Sequence, residues 1–375
     1  MPRGRADSSV ENWWRGVVAR RSWSGWALFP FVWVLSLPWL LVVCGSHHLY
    51  RLGIRKPRRV ALPVVSVGNV SLGGSGKTTA CIYLARALAR DGITAGVVLR
   101  GYRRKSRGAL LVSDGHNVLA DADKTGDEAL LLANELPGCP VAVATARERA
   151  IDLLVAETDA QIVLLDDGFQ YYRLARDVDI VLLDACTPPS TDRLFPAGVL
   201  REPYSHLSRA TDVWITHISV ASEQQRAHAT AIARRYAPHA PIVATSHVMG
   251  LLTTWRGEQA TTEVLRNRPI VAVAGIGNPD AFFKLAEQLT NQPVVTMAYP
   301  DHYDYTSADW DRVAGNAAGE SVAVLTTPKD AVKMPPPPEN VDLYVLHPSL
   351  CVEDGQVAVE QLLTRIKALA KGVRR

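Results

Sequence analysis

Cysteine is scarce and unpatterned. Five cysteines (Cys44, Cys81, Cys139, Cys186 and Cys351) are scattered through 375 residues without a CxxC pair. That argues against a disulfide framework or a cysteine zinc site and fits reduced thiols in a cytosolic compartment. A general basic surface is lacking too. Residues 1–60 hold ten Lys/Arg against two Asp/Glu, a net of +8, so the chain total of +4 leaves −4 on the remaining 315 residues. Nucleic acid is therefore a poor partner, and no obligate protein partner is evident. Internal repeats are absent, and the one low-complexity element is the proline run Pro335–Pro338. No A-x-A-like site follows the long apolar run, which argues against a cleaved signal peptide.

That run is "WALFPFVWVLSLPWLLVVC", 19 uncharged residues from Trp26 to Cys44. A membrane span needs about 20 apolar residues. Pro30 and Pro38 are expected to kink a helix here, and six tryptophans in the first 39 residues suit a membrane interface. Arg51, Arg55, Lys56, Arg58 and Arg59 follow and can meet anionic headgroups. Residues 1–59 thus read as a membrane anchor, with the body of the protein in the cytoplasm.

Beyond the anchor, short β-branched runs alternate with helical patterns, the signature of a mostly parallel sheet covered on both faces. Strands are expected at Leu62–Val67, Ala95–Leu99, Val141–Ala144, Ile162–Leu165, Ile180–Leu183 and Val213–Thr216. A second set of elements begins near Pro269. The expected fold is α/β: two α/β/α sandwich domains facing one cleft, the first a P-loop NTPase-like domain over 60–247. A β-ribbon linker over 248–266 then leads to a smaller α/β domain over 267–375.

"SVGNVSLGGSGKTTA" reads as a strand, a glycine-rich turn and a helix start. Its glycines let backbone N–H groups converge on phosphates, Lys77 reaches the β and γ oxygens, and Thr78 offers its hydroxyl to Mg²⁺. The cradle comprises Ser71, Leu72, Gly73, Gly74, Ser75, Gly76, Lys77, Thr78 and Thr79; Ser71 stands where the strict motif has glycine. "QIVLLDDGFQ" supplies Asp166 and Asp167 at a strand end, where a P-loop needs acids for its metal. ATP and Mg²⁺ are the cofactors these motifs imply.

Three further stretches bear on the phosphate's destination. "TGDEALLLA" places Asp127 and Glu128 at a helix start, where on their own they simply complement the helix dipole. "YPDHYDYT" places His302 between two aspartates in a loop, and "LFPAGVLREP" offers Arg201 and Glu202 in a proline-shaped turn. Arg100, Arg103, Arg104 and Lys105 form a basic loop after a strand.

Together with "LYRLGIRK", "RGYRRKS", "AGIGNPDAFF" and "TTPKDAVKM", these motifs resemble one family, tetraacyldisaccharide 4′-kinase, the lipid A 4′-kinase of Gram-negative bacteria. The resemblance covers nearly the whole chain. It implies transfer of the γ-phosphate of ATP to the 4′-hydroxyl of a membrane-embedded, acylated disaccharide phosphate. It implies a location at the inner membrane, with the catalytic domains on the cytoplasmic face. By the same resemblance Asp127 and His302 form the catalytic dyad beside Lys77, and Asn69, Arg100, Tyr102, Arg201 and Glu202 meet the substrate. The chain departs from the family pattern at Tyr171 and Tyr303, where histidines are common, and at Pro328, where glutamate is usual. The competing reading is a membrane-associated partitioning-type P-loop ATPase. That class needs a lysine where Leu72 stands.

Overall fold

Runs of valine, isoleucine and leucine between glycine turns set the architecture. The computed structural model describes residues 14, 16–18, 23–102, 104–277, 279–301, 303–315 and 322–372. The chain folds as two compact units: one extends through Ser246 and takes in Val352–Arg375, and the other contains His247–Cys351.

The larger unit begins with the apolar helix α1 (Trp23–Arg51). Both Pro30 and Pro38, where a kink is expected, lie within this single continuous helix. Ala27–Arg51 is long and apolar enough to cross a membrane, with a mean hydropathy of 2.2 over an 18-residue stretch of it. Large side chains on it stand in the open, Phe31 at 70% and Leu41 at 73% exposure. A stripe so exposed in a folded chain calls for lipid or a partner.

The elements that follow are β1 (Val64–Asn69), α2 (Lys77–Arg90), β2 (Ala95–Leu99), β3 (Leu110–Ser113), α3 (Asp127–Glu135), β4 (Val141–Val143), α4 (Arg147–Glu157), β5 (Ile162–Asp166), β6 (Val178–Asp184), β7 (Asp212–Thr216), α5 (Glu223–Tyr236) and β8 (Ile242–Thr254). The sheet order is β8-β7-β6-β1-β5-β2-β4-β3. Every pairing in it is parallel except β3 against β4. Buried on both faces, the parallel strands are nearly all apolar. Helix α2 packs on β1, β5 and β2 through the fully buried Leu84 and Leu88. Each such leucine contributes about 2 kcal/mol by leaving water. The edge strand β3 has no counterpart in the sequence reading.

The smaller unit holds β9 (Gln259–Ala260), β10 (Ile270–Ala274), α6 (Pro279–Glu287), β11 (Val294–Ala298), α7 (Ser307–Gly315), β12 (Val322–Thr326), α8 (Pro328–Ala331) and most of β13 (Val341–Asp354). Its strands run parallel in the order β11-β10-β12-β13. Along β10, Ile270, Ala272 and Ala274 pack with Phe282 and Phe283 of α6, while Val271 and Val273 pack with Trp310 and Val313 of α7. That alternation makes a two-sided sandwich. The ribbon expected over 248–266 is β8 turning back on β9, with Leu252 opposite Ala260.

The last helix, α9 (Gln356–Lys371), departs from the expected division at 267–375. It belongs to the larger unit, where it packs on α2 and Lys367 pairs with Asp91 at 3.0 Å. Its apolar face is completed by a helix nearly 300 residues earlier in the chain, a pairing that no local pattern can show.

Candidate active site

The phosphate loop joins β1 to α2. Gly73 and Gly76 adopt left-handed φ values of 108° and 82°, which side-chain-bearing residues avoid, and Lys77 opens the helix. Loop N–H groups and the positive end of α2 together form an anion cradle. Neighbouring segments brace it. Asn69 Nδ2 donates to Ser75 Oγ (2.8 Å), and Thr216 Oγ1 donates to the Ser75 carbonyl (3.1 Å). Leu72 N–H donates to the Val199 carbonyl, and Arg201 N–H to the Val70 carbonyl, each at 2.7 Å.

Across from the loop, β5 ends in Asp166 and Asp167, whose surroundings differ. Asp167 sits at φ +53°, rare without glycine, and this turn aims its carboxylate at two cations. Arg201 Nη1 donates to its Oδ1 and Oδ2 at 2.9 and 2.8 Å, and Lys77 Nζ lies 3.6 Å from Oδ1. Burial pushes this carboxyl up, but Lys77 and Arg201 outweigh it and hold it at about 2. Asp166 is only 4% exposed, and its Oδ1 is buried with no hydrogen-bond partner. Burial, then the nearby Glu128, push Asp166 up to about 7. An orphaned buried carboxylate oxygen, on a carboxyl close enough to feel Lys77 of the phosphate loop, fits a hard divalent cation. The sequence reading made both aspartates ligands; Asp166 is the open one, and Asp167 is already ion-paired.

Asp127 opens α3 directly after Gly126, whose φ of +86° and close approach to the Tyr102 carbonyl (2.8 Å from an added Cβ) leave no room for a side chain. That contact joins the Arg100–Tyr102 loop to the start of α3. The effect of Glu128 on Asp166 puts the first turn of α3 near the aspartate pair. His302 and Arg103 lie outside the described residues.

A cavity of about 1,010 Å³ opens beside the loop, lined by Leu72 and Asp167 at one end and by Trp39 of α1 as well. Six arginines (Arg58, Arg100, Arg147, Arg149, Arg173 and Arg201) line it against two acids, Glu148 and Asp167. Tyr171 holds one wall: its hydroxyl donates to Glu148 Oε2 (2.6 Å), and the Arg147 guanidinium lies 4.5 Å over its ring. Burial, and then Arg100 nearby, lower Arg147 from the usual arginine value. Such a site is short of an anion.

Three expected residues have other surroundings. Asn69 is fully buried and serves the loop, with Gln170 Nε2 donating to its carbonyl at 2.8 Å. Glu202, 1% exposed, accepts through Oε2 from Tyr172 (2.7 Å) and Arg209 (3.0 Å) and bonds His206 (2.7 Å), while its Oε1 is buried without a hydrogen-bond partner. Arg104 from the basic loop donates back to the Val143 carbonyl at 3.2 Å. Arg100 lines the cavity, and Tyr102 is exposed.

Sequence reasoning did not single out Arg147 and Arg149. The available signal was electrostatic. An arginine at the first position of α4 opposes the helix dipole, and residues placed against local preference mark function.

Comparison with known proteins sets this geometry in context. The family model described as LpxK, tetraacyldisaccharide-1-P 4′-kinase, matches residues 28–367. The tetraacyldisaccharide 4′-kinase of Anaeromyxobacter dehalogenans (strain 2CP-C) is 37% identical over 289 residues, 77% of this chain and 76% of that protein. That of Halothermothrix orenii is 34% identical over 351 residues, 88% and 91% of the two chains. The crystal structure of the "apo" form LpxK from Aquifex aeolicus in complex with ATP superposes with a TM-score of 0.73 at 30% identity, covering 92% of this chain and 98% of that one.

Proposed function

Since the chain belongs to the tetraacyldisaccharide 4′-kinase family, we propose how its residues move the γ-phosphate of ATP to the 4′-hydroxyl of a tetraacyldisaccharide 1-phosphate in lipid A biosynthesis. The observation that carries the reading is a braced phosphate loop beside an arginine-lined cavity that extends to the apolar helix. An acylated sugar phosphate needs such a place, with a polar head near the nucleotide and chains toward lipid.

The triphosphate lies on the 71–79 loop with Lys77 at the transferring end, and Asp167 with Arg201 keeps that lysine oriented. Thr78 and Asp166 are the residues to hold Mg²⁺, which when bound spreads the charge of the β and γ phosphates. Arg100 and Arg147 take the acceptor's 1-phosphate. The 4′-oxygen attacks the γ-phosphorus, the bond to the β–γ bridging oxygen breaks, and the hydroxyl proton passes to the Asp127–His302 dyad. A sugar hydroxyl is a weak nucleophile, so a placed proton acceptor lowers the barrier. Helix α1 and the basic residues 51–59 seat the enzyme on the cytoplasmic face of the inner membrane, where ATP is available and the substrate's chains stay in the bilayer. A partitioning-type ATPase is not favoured, since Leu72 has no charge to reach a phosphate.

The test is transfer of radiolabelled phosphate from ATP to the purified disaccharide lipid in detergent. Wild type transfers; Lys77→Ala and Asp127→Ala lose most of the rate, and Asp127→Ala still binds ATP. ATP hydrolysis without any transfer to lipid refutes the reading.

A further inference from the structure

Residues 194–209 lie between the apolar helix and the phosphate loop and bond to both. On the helix side, Trp39 Nε1 donates to the Arg201 carbonyl at 3.1 Å, and the Trp39 ring meets Phe195 edge-on with centroids 6.5 Å apart. Trp14 Nε1 donates to the Pro196 carbonyl at 2.8 Å. Further along α1, His47 stacks on His206 with centroids 4.1 Å apart, and Arg209 Nη1 lies 3.3 Å from His47 Nδ1. On the nucleotide side, the same segment gives its Val199 carbonyl to Leu72 N–H and its Arg201 N–H to the Val70 carbonyl. Arg201 is thus held at three points: its carbonyl by a helix tryptophan, its N–H by the phosphate loop, and its guanidinium by Asp167 beside Lys77.

A helix whose only task is to enter lipid needs none of these bonds; it needs apolar area. We propose that Trp39 and His47 are positioning residues for the nucleotide site, setting the 194–209 segment and, through it, Arg201 and the phosphate loop. The inference rests on the 71–79 loop being the nucleotide cradle. Nucleotide binding and the packing of α1 on residues 194–209 are then linked, and by thermodynamic reciprocity each strengthens the other.

The test uses the full chain in detergent or on anionic phospholipid vesicles. Trp39→Phe keeps an aromatic side chain against Phe195 but removes the indole N–H together with the five-membered ring, and His47→Ala removes the stack. Dissociation constants for a fluorescent ATP analogue are measured with and without Mg²⁺, alongside vesicle partition and the thermal midpoint. The expected result is nucleotide binding weakened about 3- to 10-fold in each variant, the size of one lost hydrogen bond, with vesicle partition unchanged. Unchanged nucleotide affinity in both variants overturns the linkage, as does a loss confined to vesicle partition. A wild-type chain that fails to bind the analogue overturns the cradle reading instead.

Discussion

Two buried aspartates, one in each unit, have opposite surroundings. Asp330, fully buried in α8, accepts from Gly275 N–H (3.0 Å), Thr327 Oγ1 (2.7 Å) and Tyr305 OH (3.1 Å), so both its oxygens are used. Asp166, at the end of β5, is nearly as buried and leaves Oδ1 without a partner. Burial is the largest cause raising both carboxyls. What separates them is completeness of hydrogen bonding. A satisfied buried acid ties chain segments together, whereas an unsatisfied one awaits a ligand.

Replacing each in turn sharpens that contrast. Asp166→Asn is expected to lower phosphate transfer by about 10²–10³-fold while leaving the unfolding midpoint unchanged or higher, because it removes a carboxylate charge that burial disfavours. Radiolabel transfer and thermal unfolding on one preparation check both halves. Asp330→Ala reverses the pattern. It strands three donors and should cost about 3 kcal/mol of stability, seen as a lower urea midpoint in the smaller unit's transition. Equal losses in both readouts for the two variants would break the comparison.

Arg147→Ala has a smaller effect at a different place. The apparent KM for the lipid acceptor should rise about tenfold, or 1.4 kcal/mol, with the KM for ATP unchanged. Initial rates at varied acceptor separate the two. A rise in the ATP constant alone would move Arg147 to the nucleotide.

The gentlest perturbation is acid. Burial pushes Glu202 up, but the His206 and Arg209 bonds prevail and hold it at about 2 against an ordinary 4.5. A carboxyl lowered by folding contributes stability that is complete above pH 4.5 and fades as pH falls toward 2. Thermal midpoints of Glu202→Gln should therefore lie below wild type near neutrality and converge with it as pH falls through that window. A constant gap at all pH values would mean the charge contributes nothing.

The same distinction explains what the sequence made legible. The cradle could be read because its glycines, Lys77 and Thr78 are contiguous, and Asp166 and Asp167 because they close an apolar strand. The arginine wall could not, since Arg58, Arg100, Arg147 and Arg173 are brought together only by the sheet order. Glu202 looked like a ligand contact beside Arg201, and its burial depends on Tyr172 and Arg209 folding over it. Helix α2 announced its start, while the partner of α9 is tertiary information.

The path of the chain also sets a timetable. The larger unit begins with α1 and is completed by α9, with His247–Cys351 made in between. During synthesis α9, which packs on α2, is made only after His247–Cys351. The nascent larger unit therefore has its phosphate loop before it has α9, and it is whole only once the smaller unit has been made.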